Sequence, residues 1–279
     1  MSDYVAIRNA ITTGRENMAF TGKQLRTQLD ADGTLTVQLV DHEWAAPSGG
    51  QVLVKVEATP INPSDLGLLF GPADTDNADY SPGKVVARMP EGAVRAMKAR
   101  HGLSMPAGNE AAGTVVAAGE DPAAQALLGK RVACVPGTAY GTYAYAEAGM
   151  SLPLPDSVSA EQGASSFVNP MTALGFVETM RMEGYTGIVH AAAASNLGQM
   201  LVKICQEDGV PLVNIVRSAE QVKLLKDLGA SHVLNSTDAD FMPQLIAAIA
   251  ETKAMIGFDP IGGGTMASQM LTAMEAAAS

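Results

Sequence analysis

The residues with the plainest chemical consequence lie in the stretch 186–207, TGIVHAAAASNLGQMLVKICQE. Within it, Ala193-Ala194-Ser195-Asn196-Leu197-Gly198 is a turn of small residues. Between a strand and a helix, such a turn lets the backbone approach a dinucleotide's pyrophosphate. The helix N-terminus then offers free N–H groups to it. The G-x-G-x-x-G spacing is degraded: only Gly198 stands where the last glycine belongs, and Ser195 and Asn196 take glycine-like positions. A plain buried strand-to-helix turn is the other reading of the same residues. Sites that select NAD place an acid about 20 residues past the glycine turn, on the ribose 2′-hydroxyl. Here that distance leads to Arg217. A guanidinium suits a 2′-phosphate, so the predicted cofactor is NADPH; an exposed arginine at a strand end is the alternative.

Two further groups invite chemistry. Tyr140, Tyr143 and Tyr145 lie in GTAYGTYAYAEA, residues 137–148. A tyrosine in a glycine-rich turn can donate a proton, and it can equally be a structural aromatic. Lys84, Arg88, Arg95, Lys98 and Arg100 face a single acid, Glu91, over 84–101. They read as a phosphate cradle or as a solvated helix face.

These residues need elements to hold them. The run 188–192 reads as a short buried strand. Leu197, Met200, Leu201, Ile204 and Cys205 then recur at helical spacing. PLVNIV (211–216) is a second buried strand. Ser218 and Gln221 open a helix whose Val222, Leu225 and Leu228 face inward and which Gly229 ends. Residues 232–234 form a third strand, 241–249 a helix and 254–258 a fourth strand closed by DPIGGG, with a last helix over 265–278. Strand alternating with helix predicts a parallel sheet.

The first half reads differently. Residues 34–40 and 51–59 alternate as strands, with Val52, Val54 and Val56 on one face and Pro47-Ser48-Gly49-Gly50 as the turn. Residues 114–118 and 130–136 are further strands, 60–65 an irregular loop, 66–70 a short helix and 71–83 a mobile polar loop. Six or so strands with little helix predict a barrel-like domain. Ser159 starts one helix, and Asn169-Pro170 another. The predicted division is 1–163 and 164–279.

Composition agrees with an α/β protein: 47% of residues are hydrophobic and 28 are glycine. A net charge of −11 argues against nucleic acid or an anionic membrane as partner. Cys134 and Cys205 match no metal or redox spacing, which fits a reducing compartment. MSDYVAIRNA is no signal sequence and no apolar run is long enough to span a bilayer, so the expected location is cytoplasmic.

The chain resembles the medium-chain dehydrogenase/reductase superfamily in VLVKVEATPINPSD (52–65), PAGNEAAGTVVAAG (106–119), GTYAYAE (141–147), FVNPMTAL (167–174), the nucleotide turn and LKDLGASHVLN (225–235). It is similar there to zinc-independent quinone oxidoreductases, and in NPSD, GNE, VNP-x-TA and S-N-x-GQ to mitochondrial-type trans-2-enoyl-thioester reductases. The resemblance implies a GroES-like barrel domain followed by a Rossmann-type parallel-sheet domain, and a homodimer. It implies hydride transfer from NADPH to a quinone or an α,β-unsaturated carbonyl or enoyl thioester. It places Asn62 and Thr172 at the nicotinamide end, and Ser195, Asn196, Leu197 and Gly198 on the pyrophosphate. Arg217 falls on the 2′-phosphate, and Ile261 and Gly262 beside the ribose.

The chain departs from the family in three places. Zinc alcohol dehydrogenases carry Cys where Asn62 stands and His where Asn109 stands, and neither asparagine is a zinc ligand, so no metal is expected. Enoyl-thioester reductases have a proton-donating tyrosine soon after N-P-S-D. This chain reads Gly71-Pro72-Ala73-Asp74 there, which leaves Tyr80 as the substitute. The parallel sheet also ends early against the family pattern, as in a fragment or a short form. A catalytically silent, nucleotide-binding relative with a structural role is the competing expectation.

Overall fold

The structure, a computed structural model, describes residues 19–279. The chain divides into two compact units, the first ending at Phe167 and the second running from Val168 to Ser279.

The first unit is β-rich. Its strands are β1 (Phe20–Leu29), β2 (Thr34–Trp44), β3 (Gln51–Ala58), β4 (Asp74–Ser81), β5 (Lys84–Arg88), β6 (Met105–Pro106), β7 (Ala111–Ala118), β8 (Arg131–Cys134), β9 (Tyr143–Glu147) and β10 (Ser151–Pro153). They form two five-stranded sheets, ordered β4-β5-β2-β1-β6 and β10-β8-β7-β3-β9. Short helices α1 (Pro63–Leu69), α2 (Glu91–Ala96), α3 (Pro122–Gln125) and α4 (Ala160–Gly163) fill the connections. Val52 and Val54 of β3 pack with Val115, Val132 and Cys134 in one core. Ser159 caps α4, and its backbone N–H donates to Gln162 in return.

This unit adds one strand to the sequence reading and corrects two expectations. Residues 20–29 form a ten-residue strand that the sequence pattern hides, because two of the side chains it buries, Gln24 and Thr27, are polar. Thr27 is satisfied by donating to the Leu69 carbonyl at 2.9 Å. The expected loop 71–83 is largely a hairpin, β4 paired antiparallel with β5. DTDNADYS offers no apolar alternation, because β4 is an edge strand whose side chains are mostly exposed. The cations of 84–101 share no helix face. Lys84 and Arg88 lie on β5 and Arg95 on α2. Arg88 reaches Asp32, Arg95 reaches Glu91, and Arg100 donates to the Leu68 carbonyl.

The second unit is a parallel sheet with helices on both faces. Its strands are β11 (Ile188–His190), β12 (Leu212–Val216), β13 (His232–Asn235) and β14 (Ile256–Phe258), ordered β13-β12-β11-β14. Its helices are α5 (Val168–Met182), α6 (Asn196–Asp208), α7 (Ala219–Asp227), α8 (Phe241–Thr252) and α9 (Met266–Ala278). Val189, Val213 and Ile215 pack against α8 and α9, whereas Ile188, Leu212 and Val216 pack against α5, α6 and α7. All five β12 residues are buried, as two covered faces require. Leu201 of α6 is fully buried, which contributes about 1.5–3 kcal/mol.

Candidate functional site

The chain leaves β11 and doubles back into α6 over residues 191–195. Ala192 adopts φ +52° to make that reversal. For a residue with a Cβ, this left-handed conformation costs about 1 kcal/mol or more. Ser195 caps α6, its hydroxyl accepting from the Gly198 N–H at 3.1 Å. Gly198 is obligatory, because a Cβ there would lie 2.1 Å from the Ala193 carbonyl oxygen. This is the role of the third fingerprint glycine, close packing of helix on turn. The expected strand stops at His190, so Ala191 and Ala192 belong to the turn.

A cavity of about 310 Å³ opens at this turn. Its wall comes from the segments that follow the four parallel strands: Ala191, Ala192, Ala194 and Ser195 after β11, Arg217 and, in the first turn of α7, Gln221 after β12, Ser236 after β13, and Asp259, Ile261 and Gly263 after β14. The chain steps from β11 to β12 and β13 on one side and returns to β14 on the other. The cavity therefore sits outside the carboxyl ends of the strands at a topological switch point, where open α/β sheets bind ligands.

Arg217 is exposed at the end of β12, and its N–H donates to Gln221 Oε1 at 3.0 Å. Among the described residues, no hydrogen bond or ion pair holds its guanidinium. Asp259 accepts from the Ile261 N–H through Oδ1 at 3.1 Å. Its Oδ2 is buried without a partner. These features fit a dinucleotide: a close-approach turn, open N–H groups at a helix start, a free cation for a phosphate and an orphaned acceptor for a hydroxyl. His190, one residue behind the wall, is fully buried with neither ring nitrogen bonded. Burial pushes its pKa down to about 4, against a smaller opposing pull from Asp259.

Of the sequence-predicted residues, the cavity brings together Ser195, Arg217 and Ile261. Asn196, Leu197 and Gly198 form the first turn of α6 behind it. Gly262 lies in the β14 loop at φ +65°. Thr172 is on α5, its hydroxyl donating to the Val168 carbonyl at 2.6 Å. Asp259 and Ser236 were not anticipated as site residues. Asp259 stands in the DPIGGG stretch that marks a strand end; Ser236 has no signal in the sequence.

Asn62 belongs to a buried polar cluster in the first unit. Its side-chain amide donates to Glu110 Oε1 at 3.1 Å, and its N–H donates to Asp65 Oδ2 at 2.9 Å. Asp65 Oδ1 accepts from the Asn109 N–H at 2.9 Å, and the Asn109 amide donates to Ser64 at 2.7 Å. Both asparagines thus act as hydrogen-bond donors within the cluster. Among the described residues, no group of three or more His, Cys, Asp or Glu side chains is placed to hold a metal ion. Tyr80 is not brought to this cluster; it is exposed on β4, its hydroxyl donating to the Thr75 carbonyl at 2.8 Å. Tyr140, Tyr143 and Tyr145 are each held by contacts within the first unit. Tyr143 meets Phe20 and Trp44, Tyr145 donates to the Ala45 carbonyl, and Tyr140 donates to the Pro60 carbonyl.

Known proteins share both units. Residues 48–156 match the alcohol dehydrogenase GroES-like domain, and residues 197–278 match the zinc-binding dehydrogenase family. The mitochondrial enoyl-[acyl-carrier-protein] reductase of Bos taurus is 27% identical over 74% of this chain and 51% of its own length. That of Caenorhabditis elegans is 27% identical over 85% and 63%. The chain thus spans about half to two thirds of these relatives. A solved structure from Mesorhizobium loti, described as an NADPH:quinone reductase, shares 30% identity at TM-score 0.69, covering 91% of this chain and 71% of that one. A mycobacterial protein solved with NADPH has the same fold at 22% identity and TM-score 0.62, over 89% and 69%.

Proposed function

We infer the function of this chain from its family: it belongs to the medium-chain dehydrogenase/reductase superfamily, in its zinc-independent quinone and enoyl reductase-like branch. We propose that it is an NADPH-dependent reductase of quinones or of α,β-unsaturated carbonyls and enoyl thioesters, working without zinc. The observation that carries this is the cavity at the carboxyl ends of the parallel strands, with Ser195, Arg217 and Ile261 in its wall.

In this reading Ser195, Asn196, Leu197 and Gly198 present α6's first N–H groups to the pyrophosphate. Arg217 pairs with the 2′-phosphate, Asp259 accepts from a cofactor hydroxyl, and Ile261 and Gly262 border the ribose. Thr172 and Asn62 serve the nicotinamide end. Bound NADPH supplies the hydride; the protein orients it and polarises the acceptor oxygen. Tyr80 acts as proton donor only if its hydroxyl leaves Thr75. The domains divide as 1–163 and 164–279, and the enzyme is a cytoplasmic homodimer with a small-molecule acceptor. The net charge of −11 supports the exclusion of nucleic acid. Among the described residues no helix is long and apolar enough to cross a membrane. The degraded glycine turn and the absence of a tyrosine soon after N-P-S-D favour the competing reading, a silent nucleotide-binding relative.

Calorimetric titration with NADPH and NADH tests the assignment. Trp44 is an unsuitable reporter, because it is buried in the first unit against His42 and Tyr143. The wild type is expected to prefer NADPH. Arg217→Ala is expected to raise the NADPH Kd about 10- to 100-fold, the worth of one charge-assisted bond, and to leave NADH unchanged. Equal affinities in the wild type would remove Arg217 from cofactor selection. Binding of neither nucleotide would leave the silent-relative reading.

A further inference from the structure

The second unit holds another cavity, of about 270 Å³, on the side from which the chain enters β12 and β13. Its wall comes from the end of α6, the segments that lead into those two strands, and Asn214 within β12. Leu212 and Val216 of β12 pack against α6 and α7. Side chains alternate along a strand, so Asn214 lies on that same face. It is the one polar residue of β12, and it is 1% exposed.

Its amide is half satisfied. Nδ2 donates to the His232 carbonyl at 3.2 Å and to the Leu212 carbonyl at 3.4 Å. These two carbonyls fix which end of the amide is the nitrogen. The other end, Oδ1, is buried with no partner. Buried polar atoms are almost always bonded, because an unmet acceptor loses its water and gains nothing in return. We propose that this cavity binds a small neutral aromatic heterocycle of the indole class, whose N–H donates to Asn214 Oδ1. The site is separate from the nucleotide cavity, and the inference does not rest on the reductase reading.

The wall calls for a donor. α6 and α7 both end here, beside Gly209 and Gly229. The N–H groups of Gly209 and Val210 donate to the Cys205 carbonyl, and those of Gly229 and Ala230 to the carbonyls of Lys226 and Leu225. Gln206 Nε2 donates to the Leu228 carbonyl at 3.0 Å. With these donors spent, the ligand must bring its own. The carboxyl ends of two helices also carry negative partial charge, which disfavours an anion.

A cation fits no better. Asp208 and Asp227, the acids that end the two helices, are already paired with Arg181 and Lys223, and neither lines the cavity. An ammonium brings three N–H donors, and Asn214 Oδ1 meets one of them. A lone water needs roughly two to four polar partners, and Oδ1 is the one orphaned buried side-chain atom of this wall. A single donor on an apolar body matches the rest. Val202, Cys205, Val210 and Leu212 supply apolar wall. An engineered apolar cavity of about 150 Å³ binds benzene, so this one has room for a bicyclic ring. Indole donates one hydrogen bond and has no acceptor to leave unmet.

The test compares indole with benzofuran, which has the same shape and no N–H. Each is titrated into the full chain, and binding is followed by NMR at the Asn214 side-chain amide and the backbone amides of Gly209, Val210, Gly229 and Ala230. Indole is expected to shift these signals and to bind about tenfold more tightly than benzofuran, the worth of one hydrogen bond. Asn214→Leu is expected to abolish that preference. Ser231→Phe alters an exposed residue of the wall and leaves Asn214 in place. It is expected to block both compounds, and it decides the matter if Asn214→Leu does not fold. Equal affinities for the two compounds would overturn the inference. So would shifts confined to other parts of the chain, a preference for indole retained in folded Asn214→Leu, or unchanged binding in Ser231→Phe. Each of these would leave Asn214 Oδ1 to a buried water.

Discussion

Gly198 shows what a single hydrogen atom does in this chain. It starts α6 while the backbone of Ala193 crosses directly over it, at a distance no Cβ can share. The same approach brings α6's open N–H groups to the cavity, so packing and ligand binding rest on one atom. Gly198→Ala must push helix and turn apart. It is expected to cost about 1–3 kcal/mol of stability by overpacking and to weaken NADPH binding in a calorimetric titration. Unchanged affinity in a folded variant would detach the turn from the cofactor. Gly198, Ser195 and Arg217 were legible from sequence because one strand–turn–helix–strand segment fixes their spacing. Asp259 and Ser236 were less so. They come from strand ends 61 and 38 residues beyond Gly198, counted from the sequence positions, and only sheet order brings them to the same cavity.

Among elements, the parallel strands were the easiest to read, and β1 and β4 the hardest. β12 is apolar at four of its five positions because both its faces are covered. β1 and β4 lack that signature for opposite reasons: β1 buries polar side chains, and β4 buries almost nothing. β11 carries one exception to its own apolar logic, His190, enclosed by Phe176 and deprived of hydrogen bonds. Its folded pKa of about 4 lies below the ordinary histidine value, so the unfolded chain binds the proton more readily. Its burial is therefore least costly above about pH 6.5, and stability falls as pH drops from there toward 4. The full loss is about 3 kcal/mol at 1.36 kcal/mol per pKa unit. His190→Leu is expected to flatten that part of the stability–pH curve measured by urea unfolding. Parallel wild-type and variant curves between pH 7 and 4 would show that His190 does not titrate on unfolding.

At the scale of the whole molecule, each unit carries one thiol in its own core. Cys134 lies at the end of β8 in the first, and Cys205 in α6 of the second. Burial raises both to about 12, and both are at most 2% exposed. A thiol in that state presents almost no thiolate and reacts only when its surroundings open. Each cysteine therefore reports the opening of its own unit, and the proposed cofactor residues Ser195, Gly198, Arg217 and Asp259 all belong to the unit of Cys205. A ligand that binds the folded form alone suppresses opening in proportion to its saturation, by about a hundredfold at a concentration of 100 Kd. In mild denaturant, NADPH is thus expected to slow the labelling of Cys205 by that factor, read by mass spectrometry of peptides from the two sites. Protection of Cys134 measures how far the units open together: full protection means one cooperative molecule, and none means two independent ones. Labelling of Cys205 at the same rate with and without saturating NADPH would place the nucleotide elsewhere than at the carboxyl ends of the parallel strands.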